Sequence, residues 1–278
     1  MTSNVKPITA AWSAAVEEFL TVLAAGGSPK TTRATRRAHL NRVARGLRGS
    51  PWSVEAGELV AWCGRQNWAT ETRRGVRGSL RAFYDWGFAA GYIGVNPAAA
   101  LPKVRPAEPK PRPASDDAYA AALRAAREPA HRLMLRLAAE AGLRRAEVAH
   151  IHTRDFVDDL AGLSLRVHGK GDRDRLVPLS RSVAFELRAV AGVAPGYLFP
   201  GRDAGHLSPR WVGKIVAGLL PGDVTMHALR HRFATRAYSV DRDTFAVQTL
   251  LGHASPATTR RYVAVPVEGL RSTVEGAA

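Results

Sequence analysis

The stretch NPAAALPKVRPAEPKPRP, residues 96–113, contains six prolines and little apolar periodicity, and it divides the sequence into two parts. Proline fixes the backbone angle φ and removes an N–H donor, so this composition is typical of a semi-rigid linker. The Lys and Arg residues of the stretch make it basic. We therefore expect a first domain at residues 1–102, a linker at 103–113 and a second domain at 114–278.

Positive charge is spread over both parts. The chain of 278 residues has 40 Lys and Arg against 24 Asp and Glu, a net charge of +16. Basic residues outnumber acidic ones by 14 to 6 up to Val104 and by 26 to 18 after it. Such an excess indicates a polyanionic partner, a nucleic acid or an anionic surface. A basic tail on a neutral protein would place the excess charge in one part of the chain. Here both parts carry it, so we expect both domains to face the polyanion.

Cysteine usage and the N-terminus indicate the compartment. Cys63 is the single cysteine, which excludes an internal disulfide and a cysteine metal cage and suits a reducing cytoplasm. The start MTSNVKPITAAWSAAVEEFL places acidic residues inside its apolar stretch, unlike a signal peptide, and no run of 18 apolar residues occurs. We expect a cytoplasmic protein without a membrane span.

The first domain is predicted to be helical. Apolar residues at helical spacing predict one helix from Trp12 to Ala25, and caps at Ser28, Ser53 and Thr70 predict the starts of three more. Two arginine stripes on these helices match the geometry of phosphate oxygens, although a solvated helix face is the alternative. The predicted DNA-binding residues are Arg33, Arg36, Arg37, Arg73, Arg77 and Arg81.

The second domain combines helices with a hairpin. Ser115 and Pro129 begin two predicted helices, and further helices start near Arg181, Ser208, Thr225, Asp243 and Pro256. Between Phe156 and Leu179 the pattern changes to the alternating runs LSLRV and RLVPL around the turn HGKGDRD, which predicts a β-hairpin. The fold class is therefore mainly α with a small antiparallel β-sheet, in two domains.

Several short stretches of the second domain contain cationic, imidazole or phenol groups where elements end. These are AGLRRAE (141–147), HGKGDRDRLVPL (168–179), HALRHRFAT (227–235), LGH (251–253) and TTRRYV (258–263). Each is weak alone, but in this order they resemble the box motifs of tyrosine recombinases of the phage integrase type. The first domain resembles the family's core-binding domain through its SPKTT start and the run RGSLRAFYDWGFAAGYIGVNPA. The resemblance covers nearly the whole chain.

The resemblance implies a fold and a site. It implies a helical, SAM-like core-binding domain followed by an α+β catalytic domain, and a site-specific DNA recombinase that integrates or excises a phage or mobile element. Glu147 would orient its neighbours. The implied catalytic residues are Tyr262 as nucleophile, Arg144 and Arg230 as the phosphate clamp, Lys170 on the hairpin, and His227 and His253 completing the pocket.

The chemistry explains why these residue types are needed. A phenol has a pKa of about 10, so Tyr262 must lose its proton as it attacks phosphorus, and His227 is a suitable acceptor. Guanidinium groups stabilise the negative charge that builds on the non-bridging oxygens. Lys170 would protonate the departing 5′ oxygen. The product is a 3′-phosphotyrosyl bond, and neither a metal nor a cofactor is required.

The resemblance also implies partners. These are double-stranded DNA core sites, further copies of the chain in a tetramer on synapsed DNA, and a protein factor that directs excision. The tail after Tyr262 has apolar residues at Val265, Val267, Leu270 and Val274 and would dock on a neighbour. Helices begin close to Met1, so we expect the short type without an arm-binding domain, acting at the nucleoid on a compact core site.

The sequence disfavours zinc binding and nucleotide hydrolysis. His227 and His231 have the i, i+4 spacing of a metal-binding helix, but Ala228 stands where a zinc hydrolase needs Glu. GKGDR around Lys170 lacks the Ser or Thr of a P-loop. The alternatives that stay open are a non-catalytic, repressor-like DNA-binding protein and an enzyme resembling type IB topoisomerases, which relaxes DNA without exchanging strands.

Overall fold

The computed structural model describes residues 6–47, 49–106, 111–169, 174–192 and 194–252. The described chain is mainly helical with a small antiparallel sheet, which confirms the predicted fold class. It divides into two compact units, Met1–Glu108 and Pro109–Ala278. None of the helices in these ranges is long and apolar enough to span a bilayer.

The first unit is a helical bundle around an aromatic core. Its helices are α1 (Ala10–Ala25), α2 (Lys30–Gly46), α3 (Ala56–Gly64) and α4 (Thr70–Ala89). Phe83 of α4 lies at the centre, with its ring stacked on Trp12 at 5.7 Å and on Trp52 at 5.3 Å and edge-on to Phe19 at 5.5 Å. Offset and edge-on ring pairs of this kind add to the energy of burying the rings.

The predicted start of α3 was wrong. Ser53 ends a short 3₁₀ turn, Pro51–Ser53, and α3 begins at Ala56. The turn is stabilised by Ser50, whose Oγ accepts from the Trp52 N–H at 3.2 Å. The Ser-Pro pair at 50–51 is thus the cap signal, and the extended backbone of Val54 separates the turn from the helix.

The second unit surrounds helix α6, which is buried from Leu133 through Ala139. Its helices are α5 (Asp116–Ala125), α6 (Pro129–Glu140), α7 (Arg145–Ala149), α8 (Arg181–Ala191), α9 (Pro209–Leu219), α10 (Met226–Asp241) and α11 (Thr244–Leu251). Because α10 packs along α6, the end of α6 and the start of α10 are brought into one region.

A three-stranded antiparallel sheet lies beside these helices. Its strands are β1 (Phe156–Asp159), β2 (Gly162–His168) and β3 (Asp174–Pro178), in that order, and a fourth short strand, β4 (Pro200–Asp203), makes isolated bridges to His206. Leu165 lies opposite both Phe156 and Val177. The predicted hairpin is confirmed as β2 and β3, whereas β1 was not predicted.

The chain enters the second unit against α10. The Ala114 N–H donates to the Ala228 carbonyl at 3.0 Å. Asp116 accepts from Arg232 at 2.6 Å and from Arg236 at 3.0 Å. The first residues of this unit are therefore attached to the helix that contains His227 and Arg230.

Candidate active site

A tight turn after α6 positions the first site residues. Gly142 has φ +65°, and a side chain there would overlap the Phe233 ring and lie 3.0 Å from Leu251. Glycine is required on both grounds. The turn places Arg144 directly before α7, where its backbone N–H donates to Glu147 Oε2 at 2.7 Å.

Glu147 is the centre of a cluster of guanidinium groups. Its side chain is 6% exposed. Its carboxylate accepts from Arg144 Nη1 at 2.7 Å and from Arg175 Nη1 and Nη2 at 3.0 and 2.9 Å, and Arg230 Nη1 lies 3.8 Å from Oε2. We call these four residues the Glu147 cluster.

The charge of this cluster follows from the pKa of Glu147. Burial alone would raise that pKa, but the hydrogen bonds and charge of Arg175, followed by those of Arg144, lower it to about 2. The carboxylate is therefore ionised throughout the physiological range. One negative charge among three guanidinium groups leaves the cluster positive, which suits an anionic ligand.

Arg230 lies inside the unit. It is 1% exposed and donates to the Gly142 carbonyl and, at 2.6 Å, to the Leu251 carbonyl. By contrast, the Arg144 side chain is 39% exposed. Arg144 thus presents its charge to solvent, while Arg230 joins the turn after α6 to the end of α11.

His227 lies in the first turn of α10, which Thr225 begins by accepting from the Ala228 N–H at 3.3 Å. His227 is exposed. Partial desolvation of the ring, followed by the positive charges of Arg230 and Arg144, lowers its pKa. A neutral imidazole beside cationic groups can accept a proton near neutral pH.

The His227 ring packs edge-on against His231 at 4.8 Å. Among the described residues, no group of three or more His, Cys, Asp or Glu side chains could hold a metal ion.

His168 fixes the turn end of the β2–β3 hairpin. Its Nε2 lies 3.0 Å from Asp155 and its Nδ1 lies 2.9 Å from Asp174, and both carboxylates raise its pKa. Two carboxylate acceptors require an N–H on each ring nitrogen, so this arrangement selects the imidazolium form. The ends of both strands are thereby fixed on either side of residues 169–173, the connection that contains Lys170.

The structure brings four of the predicted site residues together: Arg144, Glu147, His227 and Arg230. The other three, Lys170, His253 and Tyr262, lie outside the described residues. Their predicted roles stay predictions.

The sequence reasoning missed Arg175. It lies on β3 on the same face as the buried Val177, between the exposed Asp174 and Leu176. A charged residue on the inward face of a strand predicts a buried partner of opposite charge. That alternation was the signal, but its partner, Glu147, is 28 residues away in sequence.

Three of the arginines predicted to bind DNA donate to backbone carbonyls of their own unit: Arg36 makes one contact, with the Gly78 carbonyl at 3.4 Å, and Arg73 and Arg77 make two each. Arg73 donates to Cys63 at 3.0 Å and to Gln66 at 2.7 Å, where α3 ends. Arg77 donates to Leu101 from two nitrogens, each at 3.1 Å. The paired contacts give Arg73 and Arg77 a structural role, and the DNA contact of all three arginines stays a prediction.

Arg36 and the other three predicted arginines differ in their surroundings. Arg37 forms an ion pair with Glu17 of α1, and Arg33 and Arg81 are half-buried. Arg36 lines a groove of about 330 Å³ between α2 and α4, together with Thr31, Thr35, His39 and Arg74. Hydroxyl, imidazole and guanidinium groups in one groove are suited to phosphate oxygens.

Comparison with known proteins identifies the family. Residues 116–268 match the phage integrase family. The chain belongs to the phage integrase family of tyrosine recombinases.

Relatives of this integrase-family chain are named tyrosine recombinase XerC. That of Rhodospirillum centenum is 36% identical over 75% of this chain and 66% of its own length. That of a Methylobacterium species is 40% identical over 49% of this chain, and the match spans about half of that relative, 46%. That of Chromohalobacter salexigens is 34% identical over 90% of each chain.

Solved structures share the fold of this integrase-family chain. A lambda integrase dimer bound to a COC′ core site aligns with a TM-score of 0.73 at 21% identity, over 91% of this chain and 77% of that one. A lambda integrase tetramer bound to a Holliday junction aligns with a TM-score of 0.71 at 21% identity, over 89% and 79%.

Proposed function

We propose that this chain is a site-specific DNA recombinase that cleaves and rejoins duplex DNA through a 3′-phosphotyrosyl bond to Tyr262. The observation that carries the proposal is the Glu147 cluster beside His227, within a chain of this family. The cluster provides fixed positive charge, and His227 provides a neutral base. Both are what phosphoryl transfer to a hydroxyl requires.

In the proposed cleavage step the Tyr262 oxygen attacks the scissile phosphorus. A P–O bond to tyrosine forms, the P–O bond to the 5′ oxygen breaks, and the phenolic proton passes to His227. Arg144 and Arg230 stabilise the negative charge that builds on the non-bridging oxygens, and Glu147 holds the Arg144 guanidinium in place.

The departing 5′ oxygen takes a proton from Lys170. Because the phosphotyrosyl bond retains the energy of the phosphodiester, a 5′ hydroxyl of a second strand can attack it and regenerate Tyr262. No nucleotide, metal or other cofactor enters this sequence. His253 completes the pocket in the proposal.

We further propose the larger assembly. The first unit is a core-type DNA-binding domain at residues 1–102, joined by the linker at 103–113 to the catalytic domain at 114–278. Four copies act on two synapsed core sites at the nucleoid, and each tail docks on a neighbouring copy. The DNA-bound dimer and tetramer among the structural neighbours support this arrangement.

The sites are proposed to border a phage genome or another mobile element, so that the reaction is integration or, with an excision factor, excision. A second candidate is recombination between chromosomal sites, which is favoured by the XerC names of the relatives. The two candidates share one chemistry and differ in where the core sites lie.

The test uses the purified full chain and its Tyr262→Phe variant. Nicked duplexes that trap covalent adducts are tiled across the DNA flanking the gene and across candidate chromosomal sites. Denaturing gels then detect protein attached to DNA. We expect an adduct with the wild type and none with the variant, and the productive duplex locates the core site.

The outcomes separate the alternatives. Binding without an adduct by either protein would support the repressor-like function. Relaxation of supercoils by monomers at unrelated sequences would support the topoisomerase-like function. An adduct only on DNA next to the gene favours a mobile element, and an adduct only on a distant chromosomal duplex favours the second candidate.

A further inference from the structure

We propose that Arg175 is a positioning residue that holds the Glu147 cluster and the end of α11 in one arrangement, so that cleavage depends on it although DNA binding does not. The inference rests on the proposed function. Arg175 makes contacts on two sides, with Glu147 and with the end of α11.

On one side, Arg175 fixes the carboxylate of Glu147. Its Nη1 and Nη2 donate to the two carboxylate oxygens at 3.0 and 2.9 Å, and both side chains are almost fully buried. The same carboxylate receives Arg144 Nη1 at 2.7 Å. A planar fork that binds both oxygens sets the orientation of the carboxylate, and the carboxylate in turn sets that of Arg144.

On the other side, Arg175 holds the end of α11. Its Nε donates to the Leu250 carbonyl at 2.8 Å. Gly252, with φ +61°, lies so close that a Cβ there would be 2.9 Å from Arg175 Nη1. Arg230 donates to the next carbonyl, that of Leu251, at 2.6 Å. Two guanidinium groups of the Glu147 cluster therefore cap successive carbonyls of the helix.

The position of this cap gives it a consequence for the reaction. In the sequence, His253 directly follows Gly252, and Tyr262 is ten residues beyond it. The last described residues before His253 and Tyr262 are thus those that Arg175 and Arg230 hold. Arg175 links them to Glu147 and Arg144 through one side chain.

The test compares Arg175→Gln and Arg175→Lys with the wild type in single-turnover adduct formation on a nicked core duplex. Misplacement of the reacting groups can cost about 100-fold in rate, and we expect a loss of that order for Arg175→Gln. Lysine keeps the charge but cannot bind two carboxylate oxygens and a carbonyl together, so its expected loss is about 10-fold. DNA affinity, measured by gel shift, is expected to stay within about twofold.

Arg136→Lys is the matched control. Arg136 is also nearly buried in the second unit and pairs with Glu140 and Glu186, away from the Glu147 cluster. The melting temperatures of all variants are measured first. All rates are then measured at one temperature well below the lowest melting temperature. Arg136→Lys is expected to lower the melting temperature about as much as Arg175→Lys while leaving the adduct rate unchanged.

Two readouts separate positioning from a general loss of structure. Without Arg175, the effect of burial on Glu147 is opposed mainly by Arg144, so the pKa of Glu147 should rise and Arg175→Gln is expected to lose more rate than the wild type as the pH falls; adding Glu147→Gln should remove that difference. A neutral methylphosphonate at the scissile position removes the charge that Arg144 must stabilise. The rate deficit of Arg175→Gln is therefore expected to shrink on that substrate.

Other results would overturn the inference. Wild-type adduct rates in both Arg175 variants would do so, as would a fall in DNA affinity that equals the fall in rate. An equal loss of rate in Arg136→Lys would assign the effect to stability alone. Failure of the wild type to form any adduct would instead remove the proposed function, so the two failures are distinguishable.

Discussion

Glu147 keeps its charge inside the second unit because guanidinium groups from three separate segments surround it. An isolated buried carboxylate would take up a proton rather than bear the cost of desolvation. The orienting role expected for this residue from the sequence has a physical basis in those contacts. Arg175 could not be assigned in the same way, because only the folded chain shows which carboxylate a strand arginine meets.

The lowered pKa of His227 predicts the pH dependence of cleavage. A histidine accepts a proton only while neutral, which is above its pKa, so a lowered pKa extends activity toward acid. We expect adduct formation to persist below the usual histidine pKa of about 6.5 and to fall only at more acidic pH. The measurement is the single-turnover rate at DNA concentrations below Kd, which reports the free protein. A half-maximal rate at or above that pH would contradict the prediction.

Arg36 and Arg77 are predicted to behave differently. Arg36→Ala removes a guanidinium from the groove between α2 and α4 and only one long hydrogen bond, to the Gly78 carbonyl at 3.4 Å, so DNA affinity should fall and the slope of log affinity against log salt should shrink by about one. Arg77→Ala removes two hydrogen bonds to Leu101 and should lower the free energy of unfolding by about 1 kcal/mol. DNA affinities of both variants are measured over a series of salt concentrations. An equal change of slope for Arg77→Ala would show that Arg77 also contacts a phosphate.

Helix α4 shows how one element serves two surfaces. Its buried face, with Val76, Leu80 and Phe83, packs into the aromatic core, while Arg74 and Gly78 line the groove toward α2. Its glycines differ accordingly. A Cβ on Gly87 would lie 2.6 Å from the Trp52 ring, whereas a Cβ on Gly78 would meet no atom within 4 Å.

This difference predicts opposite effects of one substitution. Gly87→Ala should lower the free energy of unfolding by about 1–3 kcal/mol because Trp52 must move. Gly78→Ala should raise it by about 0.5–1 kcal/mol because alanine restricts the unfolded chain at a helical position. Denaturant unfolding followed by tryptophan fluorescence measures both, since five of the six tryptophans lie in the first unit. A similar sign for both substitutions would refute the packing argument.

Element starts were predictable where a side chain caps them. Ser115, Ser208 and Thr225 each accept from a backbone N–H where a helix was expected to begin. Ser53 failed because it closes a turn that Ser50 had already capped. Ser28 and Thr70 lie within two residues of the starts of α2 and α4 but are not their caps, since the N-cap residues are Pro29 and Ala69 and no side chain caps either helix. The short helix α7 and strand β1 have too few residues to show a periodic pattern of apolar side chains. They could therefore be identified only from the folded structure.

At the scale of the whole molecule, the two units have separate cores and share an excess of positive charge. The composition predicted the charge, and the motifs included the four site residues that lie together in the described part of the second unit, Arg144, Glu147, His227 and Arg230. Distances and burial within the Glu147 cluster could not follow from sequence, since they depend on how α6, α10, α11 and β3 pack.

The tail gives a prediction at this scale. Truncation after Val265 removes Val267, Leu270 and Val274, which were expected to dock on a neighbouring copy. We expect single-site binding to stay largely intact and recombination between two sites to fall, because synapsis needs the contact between copies. Gel shifts on one core site and on paired sites measure the two effects. Recombination at the wild-type rate by the truncated chain would remove the docking hypothesis.

The attachment of Ala114 and Asp116 to helix α10 has a mechanical meaning. A load applied to the chain before Ala114 reaches the second unit at these residues. The first stressed bonds are those to Ala228, Arg232 and Arg236, on either side of Arg230 in the chain. Such a load would therefore act on α10, the helix that contains His227 and Arg230, before it acts on the rest of the second unit.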